Sequence, residues 1–147
     1  MTGSDTDVRA AARWRSQRPT LPDPETRRED RATSWRLRTH PVPTEIDWAT
    51  AHGDCHFANL TMSGPTLLDF EGFGLAPVGY DPALLYAYSL LAPQTAARIR
   101  AEFPIPDSPA GHTALLVVAA DLLQSASRGD HPELAEPLRT LVTSIAR

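Results

Sequence analysis

Residues 52–72, HGDCHFANLTMSGPTLLDFEG, constrain this chain more than any other stretch. Two short apolar runs flank Ser63-Gly64-Pro65, and a turn signal between two such runs predicts a β-hairpin. Just before it, IDWATAH reads as a short strand running into a glycine-containing loop. The remainder of the chain reads as helix. Beyond an EGFGLAPVG loop, YDPALLYAYSLLA is apolar on nearly every face, the pattern of a buried helix. PQTAARIRAEF is a short amphipathic helix that ends before Pro104. SPAGHTALLVVAADLLQSASRG is a longer buried helix with Gly129 at a C-cap position. HPELAEPLRTLVTSIAR closes the chain as an amphipathic helix. A hairpin followed by a run of helices predicts an α+β fold, mostly helical, whose polar chemistry sits in the loops around the hairpin.

The first part of the chain has a different character. Residues 1–44 are polar, charged and broken by proline, with TLPDPETRREDRA at the centre. DTDVRAAARWRSQ and PETRREDRATSWRLRT have the caps and composition of two short helices. Trp14 and Trp35 are their expected contacts with the body. The division expected is a partly helical N-terminal extension, 1–44, and a folded body, 45–147. At 147 residues the chain is long enough to bury a core.

Composition excludes several classes of function. The net charge is −4, and the arginines are scattered, so no basic patch points to nucleic acid. No apolar run approaches the ~20 residues of a membrane span. The N-terminus lacks the apolar segment of a secretory signal. A single cysteine, Cys55, forms no internal disulfide and suits a reducing compartment. The expectation is a cytoplasmic protein without nucleic-acid or membrane partners. All 14 basic residues are arginine, so no mechanism that needs a lysine can draw one from this sequence.

Polar residues crowd the hairpin: His52, Asp54, His56, Asn59, Asp69 and Glu71. Singly, each has an ordinary reading. Asp54 after a glycine is a common turn residue, Asn59 can cap a loop, and Asp69 can be a surface carboxylate. His52, Cys55 and His56 bring zinc to mind, but a structural zinc site needs four ligands and this set falls short. Cys55 has no nearby base or cation to activate it as a nucleophile. Jointly, the spacing says more. Phosphoryl transfer needs a carboxylate to orient the acceptor hydroxyl and oxygen ligands for Mg²⁺, and kinases place an aspartate five residues before an asparagine, with a second aspartate further on. Asp54, Asn59 and Asp69 follow that spacing.

With HGDCHFAN, LLDFEGFG and GYDPALLY in order, residues 51–91 resemble the C-terminal lobe of the aminoglycoside phosphotransferase and choline kinase-like family. The resemblance implies a protein-kinase-like C-terminal lobe with a short catalytic-loop hairpin. It implies that Asp54 is the catalytic carboxylate at the acceptor hydroxyl, and that Asn59 and Asp69 bind the Mg²⁺ of Mg²⁺–ATP. It makes His52, His56, Glu71 and Asp81 supporting residues, with Asp81 accepting backbone N–H bonds from the catalytic loop. A small-molecule hydroxyl compound would be the acceptor.

The family's N-terminal lobe carries a sheet, a phosphate-covering loop and a lysine that pairs with ATP phosphates. None of these is found before residue 51, so the expectation is a chain whose N-lobe is absent, weak or inactive alone, and completed by a separate or upstream lobe. A catalytically inactive pseudo-kinase or a metal- and small-molecule-binding module is the alternative, and a purely structural protein a third. Tyr80, Tyr86 and Tyr88 read as core and rim packing, and His112 and His131 receive no role.

Overall fold

The computed structural model describes residues 46–61, 64, 66–104 and 107–145. The expected N-terminal extension, with its two helices, Trp14 and Trp35, lies outside the described residues. What is described is mostly helical with one small antiparallel sheet, an α+β arrangement.

Strand β1, Trp48–Ala51, pairs with β2, Gly74–Pro77, in the register Trp48↔Pro77 to Ala51↔Gly74. Val78 extends the pairing by donating its N–H to Asp47 O at 2.9 Å. β2 corrects the sequence reading, which placed GLAP in a loop. Glycine at one end and proline at the other hide a strand of this length, and Pro77 is tolerated because it closes the ladder. The pairing matters for the site because it fixes both ends of the intervening chain, so the loop from His52 to Phe73 leaves and returns at one place.

Within that loop the expected hairpin is present but minimal. Leu60 and Leu67 form a single antiparallel bridge. It is extended by Thr61 N–H to Thr66 O at 3.1 Å and Leu68 N–H to Asn59 O at 2.9 Å. The Thr61 hydroxyl donates to Gly64 O at 2.8 Å and tightens the turn.

Four helices complete the described chain: α1, Tyr80–Tyr88; α2, Pro93–Glu102; α3, Pro109–Ser127; and α4, Ala135–Ile145. Local chemistry marks several of their ends. Ser108 caps α3 by accepting the Gly111 N–H at 3.0 Å, and Pro109 takes the first turn, where its missing N–H costs nothing. α3 stops at Arg128, with Gly129 just beyond. α2 stops two residues before Pro104, and an Arg100–Asp107 ion pair spans the connection to α3.

α3 is the axis of the core. Ala114, Leu115, Val117, Val118, Ala119 and Leu122 are buried along it, and Tyr80, Ala83, Leu84 and Ala87 of α1 pack against them. Alanines at the contact let the two helices approach closely. From the other side Leu134 and Leu138 seal the core, and Ala51 and Ala76 bring the sheet onto it. Burying a leucine such as Leu138 contributes about 1.5–3 kcal/mol. Among the described residues no helix is long and apolar enough to cross a membrane.

Candidate active site

The site begins with a carboxylate in the first turn of α1. Asp81 accepts the His52 N–H at 2.7 Å on one oxygen and the Gly53 N–H at 2.9 Å on the other. Two successive backbone donors held by one charged acceptor make a short, strong clamp. It joins the end of β1 to the helix. Gly53 adopts φ +83°, a conformation that costs a glycine little, and this turns the chain sharply towards Asp54.

His52 is buried and ties this turn to the opposite arm of the loop. Its Nδ1 accepts the Asp54 N–H at 3.3 Å, so Nε2 carries the hydrogen, and Nε2 donates to Leu68 O at 2.8 Å. Its ring meets Phe70 edge-on, with centroids 4.6 Å apart. One imidazole therefore fixes Asp54 relative to the residue that precedes Asp69.

Asp54 is held in turn by Asn59. A single 3₁₀ turn, Phe57–Asn59, folds the asparagine back over the aspartate. Asn59 Nδ2 donates to the Asp54 backbone oxygen and to its Oδ2, both at 2.9 Å. The five-residue spacing thus becomes one closed loop. With both amide hydrogens used, Asn59 Oδ1 is left as an acceptor that no described residue engages. The other Asp54 oxygen, Oδ1, lies 3.4 Å from His56 Nε2. His56 caps the same 3₁₀ turn, its Nδ1 accepting the Ala58 N–H at 3.3 Å, so its hydrogen also sits on Nε2, facing Asp54.

Across the hairpin, Asp69 is exposed and has left-handed backbone, φ +54°, uncommon for a residue other than glycine. It caps a second 3₁₀ turn, Phe70–Gly72, by accepting the Glu71 N–H at 3.2 Å. The Leu68–Asn59 backbone bond places Asp69 one residue from a direct partner of Asn59. Glu71 is exposed on the same turn.

Cys55 is half-buried between these groups. Burial pushes its thiol up, and the charges of Asp81 and Asp54 push it further. That environment opposes a reactive thiolate.

Residues to which the sequence reading gave no part in the site complete the arrangement. At Gly72 a β-carbon would meet Gly53 C at 2.8 Å, Gly53 O at 3.0 Å and Asp54 N at 3.1 Å, so the Asp69 turn rests directly on the backbone of the Asp54 loop. The signal was available as the glycine of LLDFEG, which nothing else in the stretch explains. Tyr88, at the end of α1, lies beside His56 with the rings tilted and centroids 5.0 Å apart, and His131 meets Tyr88 edge-on at 5.6 Å. No spacing in the sequence joins these three rings. Among the described residues no group of three His, Cys, Asp or Glu side chains is placed to hold a metal ion.

The loop is thus clamped at its base, presents the Asp54 carboxylate with the Asn59 amide folded onto it, and carries Asp69 on the turn that packs against its backbone. In comparison with known families, the Phosphotransferase enzyme family (APH) matches residues 4–112, and the chain belongs to that family. No curated protein and no solved structure matches it.

Proposed function

We propose that this chain is the kinase-like C-terminal lobe of an ATP-dependent small-molecule kinase, the part that orients the acceptor hydroxyl and anchors Mg²⁺. The observation that carries this reading is the Asn59 side chain, which spends both amide hydrogens on Asp54. That bond leaves Asp54 Oδ1 towards solvent and His56, able to accept the proton of an acceptor hydroxyl and aim its oxygen. It also leaves Asn59 Oδ1 as a hard oxygen donor. With the Asp69 oxygen that does not cap Glu71, it would make up the donor set Mg²⁺ prefers, one or two protein oxygens completed by phosphates and water. Bound Mg²⁺–ATP would supply the phosphoryl group and the positive charge that neutralises it. Asp81 and His52 do no chemistry in this reading. They hold the Asp54 and Asp69 arms in register, which is most of what phosphoryl transfer asks of a protein.

The phosphate-pairing lysine comes from elsewhere, because this sequence contains none. Arginine, a planar fork, does not replace a lysine's compact charge without rearrangement. Phe57, Leu67 and Leu68 around the hairpin are 49%, 37% and 46% exposed, and such apolar side chains beside a polar site suit a covering lobe. On an open face a nucleotide keeps its hydration, and electrostatic contacts are screened. The missing lysine also favours a second reading, a module that binds metal and small molecules without catalysis.

The test is ATP consumption by the purified chain over a panel of hydroxyl acceptors, alone and with a lysine-bearing nucleotide-binding lobe supplied in trans or fused. Little turnover is expected alone, turnover with the lobe, and none after Asp54→Ala. Robust Asp54-dependent turnover by the chain alone would show that no second lobe is needed. Absence of turnover in every combination would leave the binding module.

A further inference from the structure

Three rings from distant parts of the chain line up against the Asp54 carboxylate. His56 Nε2 faces Asp54 Oδ1 at 3.4 Å. The Tyr88 ring, half-buried at the end of α1, lies 5.0 Å from the His56 ring at an interplanar angle of 47°. His131 closes the row at 5.6 Å, nearly perpendicular to Tyr88 at 88°. His131 lies in the connection between α3 and α4, beyond residue 112, where the family match ends. Its backbone is left-handed, φ +53°, ψ +49°, a conformation that costs a non-glycine residue energy unless its surroundings hold it. The Glu133 carboxylate lies 3.6 Å from its Nδ1.

The row supplies a restraint that the loop lacks. Asp54 has two oxygens, and the loop fixes only one of them firmly, through Asn59. The Oδ1 contact depends on where the His56 ring stands. Within the loop that ring makes only long contacts: the Ala58 N–H to Nδ1 at 3.3 Å, and Asn59 Nδ2 and Asp54 Oδ1 each 3.4 Å from Nε2. Contacts of that length hold the ring loosely, and an aromatic side chain packed beside it narrows its freedom to tilt. Tyr88 supplies that side chain, and His131 buttresses Tyr88 on its other side. Tyr88 is electrically close to the site as well: its phenol is pushed up by burial and then by the charges of Asp54 and Asp130.

We propose that Tyr88 and His131 are positioning residues for Asp54: they fix the His56 imidazole, and through it the Asp54 oxygen that faces the acceptor. The α3–α4 connection, outside the matched region, thus takes part in setting acceptor geometry. The catalytic consequence rests on the phosphotransferase reading. The structural linkage does not.

The two parts are tested separately. Nitrogen–proton correlation spectra of the ¹⁵N-histidine-labelled full chain read ring tautomer and environment at each histidine. His56 is expected as a single Nε2–H form with carbon-bound protons shifted by the Tyr88 ring. Tyr88→Leu should abolish that shift and mix the tautomers, Tyr88→Phe should preserve both, and His131→Ala should produce a smaller change of the same kind. His52, clamped by Asp54 and Leu68, serves as the internal control for folding. Unchanged His56 signals in Tyr88→Leu and His131→Ala, with His52 intact, would overturn the linkage. Should Tyr88→Leu lose the His52 signals through unfolding, His131→Ala decides, since its side chain is 58% exposed.

In the lobe-completed assay, Tyr88→Leu and His131→Ala should lower kcat by about ten- to a hundredfold, with the nucleotide KM unchanged, as a misplaced catalytic group does. Unchanged kcat overturns the catalytic part. Failure of the wild-type chain to turn over refutes the phosphotransferase reading, while the spectra still judge the linkage.

Discussion

Asp81 carries more of this site than any residue that faces it. Its two oxygens satisfy two consecutive N–H groups at the point where β1 ends and the Asp54 loop begins. Asp81→Asn keeps the size but turns one acceptor into a donor that faces a donor. Leaving one N–H unsatisfied costs about 1–3 kcal/mol, so thermal melts should show Asp81→Asn destabilised by roughly that amount and Asp81→Ala by more. Equal melting temperatures for Asp81→Asn and wild type would show the clamp to be dispensable. The same charge acts on Cys55. Burial, then Asp81, then Asp54, disfavour the thiolate, so alkylation of Cys55 by iodoacetamide should rise with pH only above the ~8.5 of a free cysteine. Asp54→Asn removes one nearby negative charge and should move that midpoint down. A midpoint at or below that of free cysteine would contradict the environment described.

Elements were legible in the sequence to different degrees, and the differences have causes. The helices announce themselves because apolar periodicity, Ser108 and Pro109 at the start of α3, and Pro104 after α2 are local signals. β2 does not, because a strand of GLAP has no alternation to read and acquires its identity only from pairing with WATA. The site divides in the same way. His52, Asp54 and Asn59 are legible as neighbours because a short loop converts their spacing directly into contacts. Asp81 reaches His52 and Gly53 from 29 and 28 residues away, a contact that only the family pattern anticipated. Tyr88 and His131 are not legible, since only tertiary packing brings Tyr88 beside His56 and His131 beside Tyr88. Gly72 lies between these cases, a local residue with a tertiary reason. A methyl group there would collide with Gly53 and the Asp54 N–H, which are backbone and cannot rotate away. Gly72→Ala should therefore cost about 1–3 kcal/mol by overpacking, and it should shift the amide signals of Gly53 and Asp54 more than those of α3. A Gly72→Ala chain with wild-type stability and an unmoved Asp54 amide would mean that the two turns are not in contact in solution.

At the scale of the molecule, the helical core built on α3 is closed, while on the hairpin Asp69, Glu71, Phe57, Leu67 and Leu68 are exposed. That contrast sets what Mg²⁺ can do to the chain alone. In the site proposed above, Asn59 and Asp69 would offer two protein oxygens, too few to strip much water from an ion that dehydrates reluctantly. Binding should therefore be weak, and linkage makes its effect on stability small: at a Mg²⁺ concentration equal to Kd the gain is about 0.4 kcal/mol. For a domain of this size that is a rise of about 1–3 °C in Tm. Mg²⁺ with ATP should raise Tm further than either alone, because phosphate oxygens complete the coordination that two side chains begin. Asp69→Ala should abolish the Mg²⁺-dependent part, since Asn59 by itself offers only a neutral oxygen. It should change the Tm of the metal-free chain little, because Asp69 is exposed and caps only a short turn. The measurement is a set of thermal melts over Mg²⁺ concentration, with and without ATP, for the wild type, Asn59→Ala and Asp69→Ala. Mg²⁺-dependent stabilisation that survives Asp69→Ala in full would remove this residue from the metal site. Stabilisation as large with Mg²⁺ alone as with Mg²⁺ and ATP together would mean that the chain holds the ion without help from phosphates.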